Sequence, residues 1–470
     1  MRKMLRKICS PKFSTYAANA TVSQVARSFP SYVINAPATE ITTLPSGLRI
    51  ASEGSHGETA TVGVWIGAGS RYETEKNNGA AHFLEHMAFK GTCRRTQQQL
   101  EMEIENMGGH LNAYTSREQT VYYAKVFKKD IPQALDILSD ILQNSRLDEI
   151  AIERERDVIL REMEEVNKQH EEVVFDRLHE TAYMGNGLGR TILGPQENIR
   201  SLTKQDLRDY IATHYTADRM VIAGAGAIDH QELVQLAEKS FGNLPTTASN
   251  YQAITLDPAR FIGSDIRVPN DSEALVHVAL AFEGFSWTSE YAFPLLIMQT
   301  LIGSWDRTDG AGLNSSSKLG QAVAEHELVH SFSAFNTCYH DTGLFGVYAV
   351  ADPHKLNDFM WYTLESLVRL VHKTTEEEVQ RAKIQLKASM LMQLDGSSPI
   401  CEDIGRQLLT YGRRLTPAEI FMRIDAVDAT LVRYTATQVI HDKAHALAAL
   451  GPVQELPGYA FIRKRSYWVK

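Results

Sequence analysis

The later half of this 470-residue chain repeats the order of elements of the earlier half, and that duplication limits the fold more than any other feature. In the first half an extended run over 59–71 leads to a helical run over 79–90. A second helical run over 96–107, a hairpin-like stretch over 110–127 and helices starting near Pro132 and Asp148 follow. In the second half a strand-like run over 274–282 leads to a helical run over 290–302, a hairpin over 328–350 and helices from His354 and Thr375. The second hairpin, with Asn336, Thr337, Tyr339, Asp341 and Gly343, is a degenerate echo of 112–119. Strands alternating with helix pairs predict α+β architecture: two homologous domains, each a mainly antiparallel sheet with helices packed on one face. The chain is too long for one core. A stretch over 246–272, rich in Thr, Ser, Asn, Asp and Pro, reads as a linker between domains at 40–245 and 273–470.

The two halves differ in chemistry. The helical run over 79–90 carries His82-Phe83-Leu84-Glu85-His86 among apolar residues, with Gly91 as its stop. Residues four apart share a helix face, so His82 and His86 can offer ring nitrogens to one metal ion while Glu85 lies beside them. This order, the reverse of His-Glu-x-x-His, is the inverzincin signature. With 16 histidines in the chain, a chance match has a probability of roughly 4%. The alternative, two satisfied core histidines, requires polar partners inside an apolar helix. A hydrolytic zinc site takes a third protein ligand, and the acidic run over 148–179 is the obvious source. Asp148, Glu155 and Glu162 stand seven apart on one stripe, but most charges on a long helix face solvent, so spacing does not choose among them. The matching run of the second half, 291–300, has neither histidine nor glutamate and reads as a scaffold that closes over the site.

Residues 1–39 differ in kind. They contain Arg2, Lys3, Arg6, Lys7, Lys12 and Arg27 but no acidic residue, with Ser and Ala between, the composition of a mitochondrial transit peptide. A basic tail that binds something acidic is the alternative. Without those six charges the remainder carries 42 basic against 57 acidic residues, a net −15, which suits capture of cationic peptides. Cleavage near Arg27-Ser28-Phe29 is expected. Cys9, Cys93, Cys338 and Cys401 show no metal spacing and fit a reducing compartment. No stretch reaches the roughly 18 apolar residues of a membrane span.

Three runs together carry a resemblance: the His-x-x-Glu-His helix, Gly-Gly-His-Leu-Asn-Ala-Tyr-Thr-Ser-Arg-Glu over 108–118, and Glu-Arg-Asp-Val-Ile-Leu-Arg-Glu-Met over 155–163. The chain resembles the pitrilysin-type metallopeptidases from about Ile41 to its end. Within them it is most similar to the beta-type subunits of the presequence-processing branch. The resemblance implies Glu162 as the third zinc ligand and Glu155 as an accessory acid; a solvated helix glutamate is the alternative for Glu155. Zinc held by His82, His86 and Glu162 would then activate a water whose proton Glu85 accepts and passes to the leaving amine.

The same resemblance assigns substrate residues. Glu172 and Asp176, four apart, match an acidic pair that receives an arginine before the cut, which two carboxylates can hold bidentately. Unaided, the pair reads as solvated helix face. Phe89 matches an aromatic wall for the residue after the cut, where the residues alone suggest core. Asn112 and Ala113 lie in a run that reads as an edge strand, able to pair with an extended peptide. Tyr339 could reach across to the substrate carbonyl; a core or hairpin tyrosine is the competing reading. The segment 303–317 is polar but not strongly glycine-rich, so the resemblance implies an alpha-type partner subunit, and basic presequence peptides as substrates in the mitochondrial matrix. A core subunit of respiratory complex III at the inner membrane, structural or bifunctional, is the competing class. The intact set His82, Glu85, His86 and Glu162 favours the peptidase.

Overall fold

The computed structural model describes residues 29–248, 256–308 and 312–467. Residues 1–28 of the leader expected over 1–39, part of the linker and part of the polar segment over 303–317 lie outside the described residues, as does most of the expected cleavage point.

Among the described residues, twelve strands form two six-stranded sheets. The first joins β1 (Glu40–Thr43), β2 (Arg49–Gly54), β3 (Thr59–Ile66), β4 (His110–Thr115), β5 (Thr120–Phe127) and β6 (Met220–Gly226) in the order β1-β2-β6-β3-β5-β4. The second joins β7 (Ser264–Pro269), β8 (Val276–Gly284), β9 (Ser304–Asp306), β10 (Ser331–Cys338), β11 (Gly343–Ala351) and β12 (His445–Gly451) in the order β7-β12-β8-β11-β10-β9. Every pairing is antiparallel except β2 with β6 and β7 with β12. The second sheet therefore begins at Ser264, inside the stretch read as linker. Ser264, Asp265 and Arg267 hide β7 in the sequence because an edge strand stays half-buried and polar.

The longer helices of the first half are α1 (Ala80–Ala88), α2 (Gln97–Asn106), α3 (Ile131–Gln143), α4 (Glu149–Val166), α5 (His170–Ala182), α6 (Lys204–His214) and α7 (His230–Phe241). Those of the second are α8 (Ala292–Ile302), α9 (Lys318–His326), α10 (Leu356–His372), α11 (Glu376–Gln393), α12 (Ser397–Tyr411), α13 (Pro417–Asp425) and α14 (Ala429–Val439). Each sheet packs helices of its own half on one face, around Leu135, Leu138 and Ile141 in the first and Leu295, Leu364 and Leu367 in the second.

The opposite faces are covered by exchange. The run read as one acidic helix over 148–179 breaks at 167–169, and the part beyond the break, α5, leaves its own half. Its Val174, Leu178 and Ala182 pack on Ala279 and Ala281 of β8 and Ala446 and Ala448 of β12. Reciprocally, α12 lays Cys401, Ile404 and Leu408 on Ala51, Trp65, Val221 and Ala223 of the first sheet. Alanine-rich strands let both helices approach closely. Arg71 adds a polar clasp: nearly fully buried, it bonds Glu118 at 2.5 Å and Asp341 of the second half at 2.7 Å.

Candidate metal centre

The motif helix α1 starts at Gly79, whose φ of 104° and close neighbours leave no room for a side chain: a Cβ would lie 2.7 Å from Ile199. Gly79 offers no capping side chain, so a distant one serves. The carboxylate of Glu73, buried at 3% exposure, accepts from the Gly79 and Ala81 amides at 2.9 and 2.7 Å and from Asn78 Nδ2 at 2.7 Å. Burial pushes its pKa up to about 7 against those three donors. Ala80, Ala81, Phe83, Leu84, Met87 and Ala88 face the core, which leaves His82, Glu85 and His86 to face α4 and β4.

There the polar groups converge. His86 Nε2 lies 3.1 Å and His82 Nε2 3.7 Å from Glu162 Oε2, and one ligand atom from each of the three residues falls within 4.8 Å of the others. Glu162 Oε2 is buried yet makes no well-formed hydrogen bond, and His82 Nδ1 is likewise orphaned. Two imidazole Nε2 atoms and a carboxylate oxygen converge on one point; a divalent cation fits them, and two histidines with a glutamate are a donor set zinc accepts. Burial, with His86 beside it, lowers the His82 pKa to about 4, so that ring is neutral and able to ligate. Burial opposes protonation of His86 as well, but the Glu162 and Glu155 carboxylates outweigh it and hold its pKa above the ordinary value.

Glu155, one heptad before Glu162, is buried and divides its two oxygens: Oε2 meets His86 Nδ1 at 3.3 Å and Oε1 meets Lys90 Nζ at 2.8 Å. A carboxylate on the far nitrogen of a ligating imidazole fixes the ring and its tautomer. Glu85 does not join the three; its Oε2 accepts from Thr115 Oγ1 at 2.7 Å, and burial raises its pKa against that bond. The sequence alone assigns no role to Lys90 or Thr115. Lys90 lies just past the end of α1 and folds back to Glu155, so helical spacing does not place it; Thr115 is brought in only by the sheet.

The expected substrate residues scatter more widely. Asn112 and Ala113 lie on β4, the free edge of the first sheet, although Asn112 Oδ1 already accepts the Ala113 amide at 2.9 Å. Ala113 alternates with Thr115 and so shares the face of the metal cluster. Phe89 caps α1 and is half-buried against the first core. Glu172 and Asp176 do share a face of α5, but they are unequal. Glu172 is exposed, whereas Asp176 already holds Arg117 at 2.6 Å and Thr191 Oγ1 at 3.1 Å. Tyr339 is buried against α5, with its hydroxyl 2.7 Å from His179 Nε2.

Comparison with known proteins adds to this geometry. The family model described as insulinase (peptidase family M16) matches residues 49–196, and the one described as the M16 inactive domain matches 201–386. The chain is 54% identical to the probable mitochondrial-processing peptidase subunit beta of Arabidopsis thaliana over 442 residues, 93% of this chain and 83% of that protein. It is 54% identical to the mitochondrial-processing peptidase subunit beta of Homo sapiens over 438 residues, 93% of this chain and 89% of that one. Among solved structures, a chain of complex III2 from Candida albicans aligns with a TM-score of 0.81 at 25% identity, covering 91% of this chain and all of that chain.

Proposed function

The chain belongs to the M16 peptidases, and from that premise we propose that it removes targeting presequences from proteins imported into mitochondria, as the beta-type subunit of a two-subunit zinc peptidase. It is a mitochondrial metallopeptidase. The observation that carries the reading is the convergence of His82, His86 and Glu162 with Glu85 held beside them by Thr115. Zinc bound by the three would supply Lewis acidity toward the scissile carbonyl and the attacking water.

The chain's own residues account for the rest. Glu85 takes the proton of the attacking water and delivers it to the departing amine, a shuttle that its raised pKa favours. Glu155 and Lys90 hold the His86 ring. The free edge of β4 pairs with the peptide main chain at Asn112 and Ala113, and Phe89 walls the pocket after the cut. Glu172, exposed and unpaired among the described residues, supplies the carboxylate for an arginine before the cut, with Asp176 beside it. An alpha-type subunit completes the substrate chamber in the matrix.

The likeness to a complex III2 chain supports a second reading, a core subunit on the matrix face of the inner membrane. No helix among the described residues is long and apolar enough to cross a membrane. Affinity purification from mitochondria separates the two: recovery with one alpha-type chain supports the free peptidase, and recovery with cytochrome subunits supports the assembly. Cleavage of a presequence peptide by the purified pair, abolished in Glu85→Gln, tests the activity; a pair with bound zinc and no cleavage would reject it.

A further inference from the structure

Glu73 lies outside the metal cluster, yet it is bonded to both parts of the site. Its Oε1 accepts the Ala81 amide, one residue before His82, and its Oε2 accepts the Gly79 amide, so both oxygens fix the first turn of α1. The same Oε2 accepts from Asn78 Nδ2, which also donates to the Thr191 carbonyl at 2.9 Å. Thr191 Oγ1 in turn donates to Asp176 Oδ2 at 3.1 Å. Arg190, next in sequence to Thr191, donates to the main-chain carbonyl of Glu73 itself. Packing leaves the joint little slack: a Cβ on Gly194 would lie 2.4 Å from the Asn78 carbonyl oxygen. The turn over 187–194 that carries Thr191 and the loop over 73–79 are therefore one hydrogen-bonded unit. The metal helix hangs from one side of it and the carboxylate of Asp176 from the other.

We propose that Glu73 is a positioning residue that sets the metal helix and the arginine-recognising carboxylate of Asp176 in one fixed relation. The Asp176 branch rests on the substrate reading given above; the metal branch does not. Three N–H donors converge on two carboxylate oxygens. An amide in that place offers one oxygen and turns its own N–H₂ on at least one of those donors. Glu73→Gln thus costs the first turn of α1 a bond in either amide orientation, and in one of them the Asn78 link as well.

The full chain, with its partner subunit where cleavage is read, tests this through three variants. For Glu73→Gln, zinc affinity read by competition with a chelator is expected to fall about ten- to a hundredfold, the range for residues that orient ligands. The KM for an arginine-bearing presequence peptide rises in the same variant. For Thr191→Val, which cuts only the link to Asp176, that KM rises while zinc affinity stays at the wild-type value. Gly405→Ala, where the added Cβ meets Trp65 and no residue of the site, serves as a control with lowered thermal stability. Wild-type zinc affinity in Glu73→Gln overturns the proposal, as does an equal loss of zinc affinity in Gly405→Ala matched for thermal stability, since that marks general loosening. If the wild-type pair cleaves no presequence, the substrate reading fails, and the zinc arm still decides the role of Glu73 toward the metal helix.

Discussion

Gly405 sets its bare Cα against the indole of Trp65, so closely that a Cβ would fall 2.1 Å from Cδ2. A glycine inside a helix costs about 1 kcal/mol relative to alanine, so its presence in α12 reflects this contact between the halves. Gly405→Ala is expected to destabilise the chain by about 1–3 kcal/mol through overpacking. Pairing it with Trp65→Val makes room, and a double-mutant cycle by denaturant unfolding should show favourable coupling of about 1 kcal/mol or more.

Glu85 and His86 are adjacent but separable. Glu85→Gln leaves the three converging ligand atoms in place, so metal analysis should find zinc retained while turnover falls by about 10²–10⁴, the share of a general base. His86→Ala removes a ligand and should lose both. An empty site in Glu85→Gln would sink this division of roles.

Lys90 neutralises the buried carboxylate that steadies His86. Lys90→Met keeps the stem of the side chain and removes the charge, leaving Glu155 with only the imidazole. Zinc affinity should drop roughly tenfold or more with the fold intact by circular dichroism.

His445 on β12 has no exposed surface, stacks on Tyr459 at 4.2 Å, and finds no hydrogen-bond partner for either ring nitrogen among the described residues. Burial lowers its pKa to about 4, partly offset by Asp265. The folded state therefore holds a neutral ring, while the unfolded chain takes up a proton below about 6.5. Stability is fully present above pH 6.5 and is lost as the pH falls toward 4. His445→Phe should be close to neutral at pH 8 and relieve about 2 kcal/mol of acid destabilisation at pH 5, read as the difference in unfolding midpoint.

The sequence made the metal helix legible because its three polar residues interrupt an apolar run at helical spacing. The duplication was visible for a similar reason: strands and helices recur in order. The third ligand was not readable from spacing, since Asp148, Glu155 and Glu162 share one stripe; only the resemblance singled out Glu162. The break at 167–169 escaped notice because α4 and α5 are both acidic, and no glycine or proline marks the turn. Glu73 and Thr115 were out of reach for another reason: each meets its partner through a loop or a sheet edge rather than along one helix. The burial of Tyr339 was equally hidden from the sequence, since the helix that covers it comes from the other half.

Neither α5 nor α12 covers the sheet of the half that encodes it. One half alone would leave an alanine-rich sheet face bare and a helix with nothing to cover. Two copies, each lending its helix to the other, make both whole, as in a domain-swapped homodimer. The chain has the build of such a dimer spliced end to end. Splicing ends the obligation of two protomers to be identical, so one copy is free to carry the histidines while its twin loses them and keeps only the architecture.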